Sequence, residues 1–413
     1  MLRSRGRGRR RRLLSALCLT GVLAGAFATF APGKSGAGLL DQLNYARTDT
    51  GTLSAITRIV GAQAAWASGY TGKGVDVALI DTGVAPVPGL TAGQVVNGPD
   101  FSFDGQNLPA LAGVDMFGHG THMAGIIAGR DATATNTAGR CGTCTGNSGY
   151  SDTTKFVGVA PDARIVNVKV GSYDGSADVT QMIAAIDWVV RHKNDNGMNI
   201  RVINVSYGTQ STQDYRADLL TYAVEQAWLN GIMVVAAAGN DGVQTTHLSD
   251  PAYDPFVLAV GADDPAGTLG TLDDTIPSFA THGNAERRVD VTAPGTHVVS
   301  LKVPGSFADQ NYGATASVGS RFIRGTGTSQ SAAVVSGVAA LLFQRYPNAK
   351  PDQIKSILMS TANRISTQNI LWGGNGIVAA DTAITLPLPL VSNNHERGWG
   401  YGSLDATRGG DVL

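Results

Sequence analysis

The chain holds 413 residues, 43% hydrophobic and 15% charged, which excludes a disordered protein and leaves length for a sizeable core. Its formal charge of −1 conceals a split: seven arginines sit in the first twelve residues, and without them 24 basic residues face 32 acidic ones, a net of −8. An acidic body of that kind argues against nucleic acid as a partner.

The basic head precedes the apolar run "LLSALCLTGVLAGAFATFA", the pattern of an export signal over residues 1–28. "AFA" (Ala26 to Ala28) offers the small-x-small site, so cleavage is expected after Ala28 and the mature chain is expected to be secreted. The alternative is an uncleaved signal that anchors the chain, since the run is near the length of a membrane span; nothing later is apolar enough to span. Residues 29–59 are polar and Gly/Thr-rich with little periodicity, and are expected to form an extended N-terminal extension or short pro-segment. Beyond the signal only Cys141 and Cys144 remain, in "RCGTCTG". An oxidising compartment makes them a disulfide candidate, while half a zinc site would lack a second ligand pair at the right spacing.

From residue 60 onward, apolar runs alternate with helical periodicity. "GVDVALID" (74–81) predicts a buried strand, "THMAGIIAG" (121–129) a helix and "ARIVNVKV" (163–170) a strand. "ADVTQMIAAIDWVVRH" (177–192) is a helix with apolar residues at helical spacing, "IRVINVSY" (200–207) a strand, and "RADLLTYAVEQAWLNG" (216–231) a helix closed by glycine. "IMVVAAAG" (232–239) and "FVLAVGA" (256–262) are strands; "SQSAAVVSGVAALLFQRY" (329–346) and "KPDQIKSILMSTA" (350–362) are helices. Such alternation predicts an α/β fold of three layers, a mostly parallel central sheet with helices on both faces. Residues 366–395, with "LPLPLV", read as a surface insertion.

Ligands of parallel sheets gather at the carboxyl ends of the strands. Asp81 ends the first strand, in "VALIDTGV"; it suits a polar site, a helix cap or a turn. His119 lies in "FGHGTHMAG" between two glycines at a helix start, and His122 follows three residues later without the Glu of a HExxH metal motif. Asn240 in "AAAGND" is a turn former or a side-chain donor aimed into a cleft. Ser329 follows Gly325, Gly327 and Thr328 at the head of an apolar helix; it is either an N-cap or a nucleophile set among free N–H groups at the positive end of the helix dipole.

In combination these motifs, in the order Asp81, His119, Asn240, Ser329, resemble the subtilisin-like (S8) serine peptidases over about Val60 to Asp405. "VALIDTGV", "GHGTHMAG", "AAGND" and "GTSQSAAVVSG" look like the family's Asp, His, oxyanion and Ser motifs. The resemblance makes residues 60–413 a catalytic domain and implies a secreted endopeptidase with Ser329 as nucleophile, His119 as general base, Asp81 as its partner and Asn240 as oxyanion donor. A peptide substrate would add as a strand between Asp174, Gly175, Ser176 and Ala177 on one side and Ser206, Tyr207 and Gly208 on the other. The last three, with Ala237, Ala238 and Gly239, would wall the S1 pocket; small walls without an obvious charge imply apolar or aromatic P1 residues. The chemistry needs no cofactor. Structural calcium is common in the family, with Asp250, Asp254, Asp263 and Asp264 as candidate ligands but no EF-hand spacing. A monomer acting on protein or peptide substrates is expected. The serine motif departs from the family's G-T-S-M-A-x-P at Gln330, Ser331 and Ala333, which keeps a catalytically silent binding scaffold as a second reading; a surface-anchored maturation protease is a third. Loss of the proline is expected to relax the helix start.

Overall fold

The computed structural model describes residues 51–131 and 156–409, apart from 91, 108, 366–369 and 392. The predicted signal, Cys141 and Cys144 lie outside these residues. Seven strands form one parallel sheet: β1 (Asp76–Asp81), β2 (Val95–Asp100), β3 (Arg164–Lys169), β4 (Ile200–Val205), β5 (Met233–Ala237), β6 (Leu258–Asp263) and β7 (Val291–Pro294), in the spatial order β2-β3-β1-β4-β5-β6-β7. Every pairing is parallel. β1, β5 and β6 are buried along their whole length, as near-continuous apolar runs covered on both faces must be. β2 is an edge and is only half-buried. A second, antiparallel sheet joins β8 (Val298–Leu301), β10 (Phe322–Gly325) and β9 (Ser317–Val318) in that spatial order.

Eight principal helices accompany the sheets: α1 (Leu53–Ile59), α2 (Ala62–Ala67), α3 (His119–Ala128), α4 (Val179–His192), α5 (Leu219–Leu229), α6 (Phe307–Ala316), α7 (Thr328–Arg345) and α8 (Pro351–Thr361). α4 starts at a capping box in which Asp178 accepts from Thr180 N–H and Gln181 reaches back to the cap. α5 is capped by Asp218. α7 is buried from Thr328 to Phe343 and packs on β4 to β7 and on α3. Its small residues permit that approach: a methyl group on Gly337 would sit 2.5 Å from Val159 Cβ.

The parallel three-layer expectation holds, and the strands and helices expected from residue 74 onward fall within a few residues of their predicted bounds. The extended reading of the N-terminal segment fails where it is described. Residues 53–59 form a helix because Thr52 caps it and Leu53, Ile56 and Ile59 recur at a three-residue spacing toward the core. The segment 366–395 is not wholly a surface feature: Ile377, Val378, Ala380 and Ala383 are buried, and Ile377 bridges Thr292 and Asn363, whereas Leu390 and Val391 are exposed. β2, β7, β8 and β10 carry too little apolar pattern to be recognised in isolation.

Candidate active site

β1 lies between β3 and β4, so its carboxyl end opens in the middle of the sheet. Asp81 is its last residue, 7% exposed, and its Oδ1 lies 2.7 Å from His119 Nδ1. Thr82 N–H also donates to that oxygen at 2.8 Å, so the carboxylate is oriented by its own turn. His119 is the first residue of α3, after Gly118 in the left-handed region at φ 102°. It is 3% exposed, and Gly120 beside it has no room for a side chain, since a methyl there would lie 2.1 Å from Gly83 O. Burial works to depress the imidazolium, but the charge and hydrogen bond of Asp81, with a further pull from Asp115, outweigh it and hold the His119 pKa above its ordinary value.

The sequence reading passed over Asp115. It is fully buried and accepts from Thr82 Oγ1 (2.8 Å), Gly118 N–H (2.6 Å) and Thr121 N–H (2.8 Å). It thereby ties the turn after Asp81 to the helix start at His119, and Gly120 N–H closes the loop by donating to Thr82 Oγ1 at 2.9 Å. Burial pushes the Asp115 carboxyl up, and these hydrogen bonds draw it part of the way back. The available signal was its place four residues before His119 in a glycine-rich turn. Lys169 was also missed: it is fully buried at the end of β3 and donates to Val114 O at 2.8 Å.

Ser329 is the second residue of α7 and is 3% exposed. Asn240 follows β5, and its Oδ1 accepts from Thr328 N–H at 2.9 Å. A backbone N–H can pair only with the amide oxygen, so this bond fixes the direction of the Asn240 nitrogen. α3 and α7 pack against each other, and near their starts a methyl built on Gly325 would lie 2.8 Å from His122 Nε2 and 2.4 Å from Gln330 Nε2.

The sequence matches the Subtilase family over residues 72–401, four-fifths of the chain. The chain belongs to the subtilase family. It is 32% identical over 320 residues to the serine protease AprX of Bacillus subtilis, covering 76% of this chain and 67% of that protein. It is 30% identical to subtilisin DY of Bacillus licheniformis, over 77% of this chain and 93% of that one. A crystal structure of MycP1 with its N-terminal propeptide removed is similar with a TM-score of 0.57 at 27% identity, over 79% of this chain and 95% of the other.

The segments expected to hold substrate follow β3 and β4. Asp174–Ala177 forms a turn in which Gly175 N–H donates to Ser172 O and Ser176 N–H to Asp174 Oδ1. Ser206, Tyr207 and Gly208 follow β4 and are half-buried, and Tyr207 Oη donates to Ala177 O at 3.4 Å, linking the two segments. Ala237 and Ala238 are buried and Gly239 is half-buried. Gly208 and Gly239 converge on Ser249: a methyl on the first would lie 2.7 Å from its Cβ, and one on the second 2.4 Å from its Oγ. The sequence reading did not find Ser249, because its position depends on the loop after β5 folding back, where Ser249 N–H donates to Ala238 O.

The candidate calcium ligands named from the sequence were Asp250, Asp254, Asp263 and Asp264. Asp250, Asp254 and Asp263 are fully buried, and among the described residues no three His, Cys, Asp or Glu side chains form a group able to hold a metal. Desolvation, then the neighbouring carboxylates, raise all three pKa values well above the ordinary range. Among the described residues no helix is long and apolar enough to cross a membrane.

Proposed function

We propose that this subtilase is a secreted serine endopeptidase that cleaves peptide bonds through an acyl-enzyme intermediate. The observation that carries the reading is the buried Asp81–His119 pair, 2.7 Å apart at the carboxyl end of β1, inside the sheet. Ser329 Oγ attacks the scissile carbonyl, and His119 Nε2 takes its proton and later returns it to the leaving amine. Asp81 holds the Nδ1–H tautomer and stabilises the imidazolium. The Asn240 amide nitrogen and the Ser329 N–H receive the oxyanion, the first aimed by the bond from Thr328. No cofactor enters this chemistry.

The substrate lies as a strand between Asp174–Ala177 and Ser206–Gly208, and its P1 side chain enters the slot walled by Gly208, Ala237, Ala238 and Gly239. Apolar and aromatic P1 residues suit these walls, with Ser249 setting the depth. The enzyme acts on protein or peptide substrates as a monomer, released by cleavage after Ala28.

A fluorophosphonate probe tests the serine. Wild-type protein is expected to be labelled and Ser329→Ala to be unlabelled; labelling that survives the substitution, or none in either form, rules the reading out. N-terminal sequencing of exported protein checks the signal, and a peptide-library digest checks P1, where cleavage only after Lys or Arg would refute the apolar pocket.

A further inference from the structure

A reacting serine must leave its hydroxyl to the chemistry, so its neighbours have to set its orientation. On one side Thr328 N–H donates to Asn240 Oδ1 at 2.9 Å. Two residues beyond Ser329, Ser331 Oγ donates to Ala293 O on β7 at 2.9 Å. Between them stands Gln330, fully buried, where the family's usual residue is a methionine. Its side chain runs toward Gly325: a methyl built on that glycine would sit 2.4 Å from Gln330 Nε2 and 2.8 Å from His122 Nε2. The two polar side chains therefore converge on one point of the backbone where only a glycine leaves room for them.

His122 is fully buried on α3, one helical turn after His119, and its carbonyl accepts from Ser300 Oγ at 2.7 Å. Burial, with a smaller contribution from neighbouring His119, pushes its pKa down to about 3, so the ring is neutral wherever the enzyme is folded and working. A neutral imidazole carries one donor and one acceptor, and a primary amide offers both; a thioether offers at best a weak acceptor. Gln330 thus matches a neighbour that the family's methionine would leave poorly served.

We propose that Gln330 and His122 form a polar pair across Gly325 that positions Ser329 against His119 by pinning the first turn of α7 to the first turn of α3. Both are positioning residues; neither touches substrate. The inference rests on the roles assigned above to Ser329 and His119, and displacement of a reacting group by a fraction of an ångström acts on turnover more than on binding.

The test uses the full secreted chain with a chromogenic peptide substrate and the variants Q330L, H122L, the Q330L/H122L double and H122Q, whose amide nitrogen falls near the place of the imidazole Nε2. Each leucine variant is expected to lower kcat about tenfold with KM within about twofold, and the double to be no worse than the poorer single. H122Q is expected to keep kcat within about threefold of wild type. Unchanged kcat in Q330L, losses that multiply in the double, H122Q as poor as H122L, or an effect confined to KM would each overturn the positioning role. Thermal melts accompany every variant, and if Q330L does not fold, the contrast between H122Q and H122L decides. Fluorophosphonate labelling of the wild type is run alongside. If Ser329 itself is not labelled, the functional reading fails; if it is labelled and Q330L reacts equally fast, the positioning role alone fails.

Discussion

Replacing Asp115 by asparagine would exchange an acceptor for a donor in a carboxylate that receives Thr82 Oγ1, Gly118 N–H and Thr121 N–H. At least one of these buried donors would lose its partner. Asp115→Asn is therefore expected to cost about 1–3 kcal/mol of stability in urea titrations, and to lower kcat as the His119 turn loosens. At the proposed base, the raised His119 pKa means that the neutral imidazole the proposed mechanism needs forms only as pH rises. The pH profile of kcat/KM is expected to climb with a midpoint above about 6.5, and Asp81→Asn to move that midpoint down. In the proposed substrate pocket, Ser249→Gly removes the side chain facing Gly208 and Gly239. The ratio of kcat/KM for Phe over Ala at P1 is expected to increase in a matched peptide pair; an unchanged ratio would place the pocket floor elsewhere.

α7 carries the proposed nucleophile on a helix with no exposed residue from Thr328 to Phe343. The helix runs unbroken to Arg345, with Asn240 and Ala293 bonded at its head. Small residues let it approach α3 and the sheet, and the tightest such point is Gly337. Gly337→Ala would gain up to about 1 kcal/mol in helix propensity. It would also force a methyl to 2.5 Å from Val159 Cβ. Overpacking of this kind costs about 1–3 kcal/mol, so a net destabilisation is expected in chemical denaturation. α3 shows the same logic from the other side, since its start at His119 depends on a glycine in the left-handed region that a sequence pattern marks only as a break.

Across the whole molecule the buried carboxyls dominate the response to pH. Asp250, Asp254 and Asp263 have folded pKa values raised well above the unfolded value by burial and then by acidic neighbours, and burial lifts Asp274 to about 7. Groups with a raised folded pKa bind protons more tightly when folded, so their contribution is present at low pH and is lost as pH rises through the folded value. His119, also raised, acts in the same direction. His122, lowered to about 3, acts oppositely: stability rises as pH climbs from about 3 to 6.5 and stays constant above that. Above about 6.5 the losses through His119 and Asp274 remain, so the melting temperature is expected to fall from there toward alkaline pH, and Asp274→Asn to flatten that slope. A flat profile in the wild type would contradict the raised pKa values of these groups.

By itself the sequence determined the layer architecture and the four motifs, because a buried parallel strand must be apolar throughout and because the turns that end such strands need glycine and small polar residues at particular places. β1, β4, β5 and β6 declare themselves in that way, as do Asp81, His119, Asn240 and Ser329. Only the tertiary structure decided what lies around them. The Asp115 bonds, the contacts of Ser249 with Gly208 and Gly239, the Gln330–His122 convergence at Gly325 and the burial of Ile377 join residues 6 to more than 200 positions apart. Nothing in local periodicity encodes such meetings; they follow from how β1, α3 and α7 are stacked, and from which side chains that stacking strips of water.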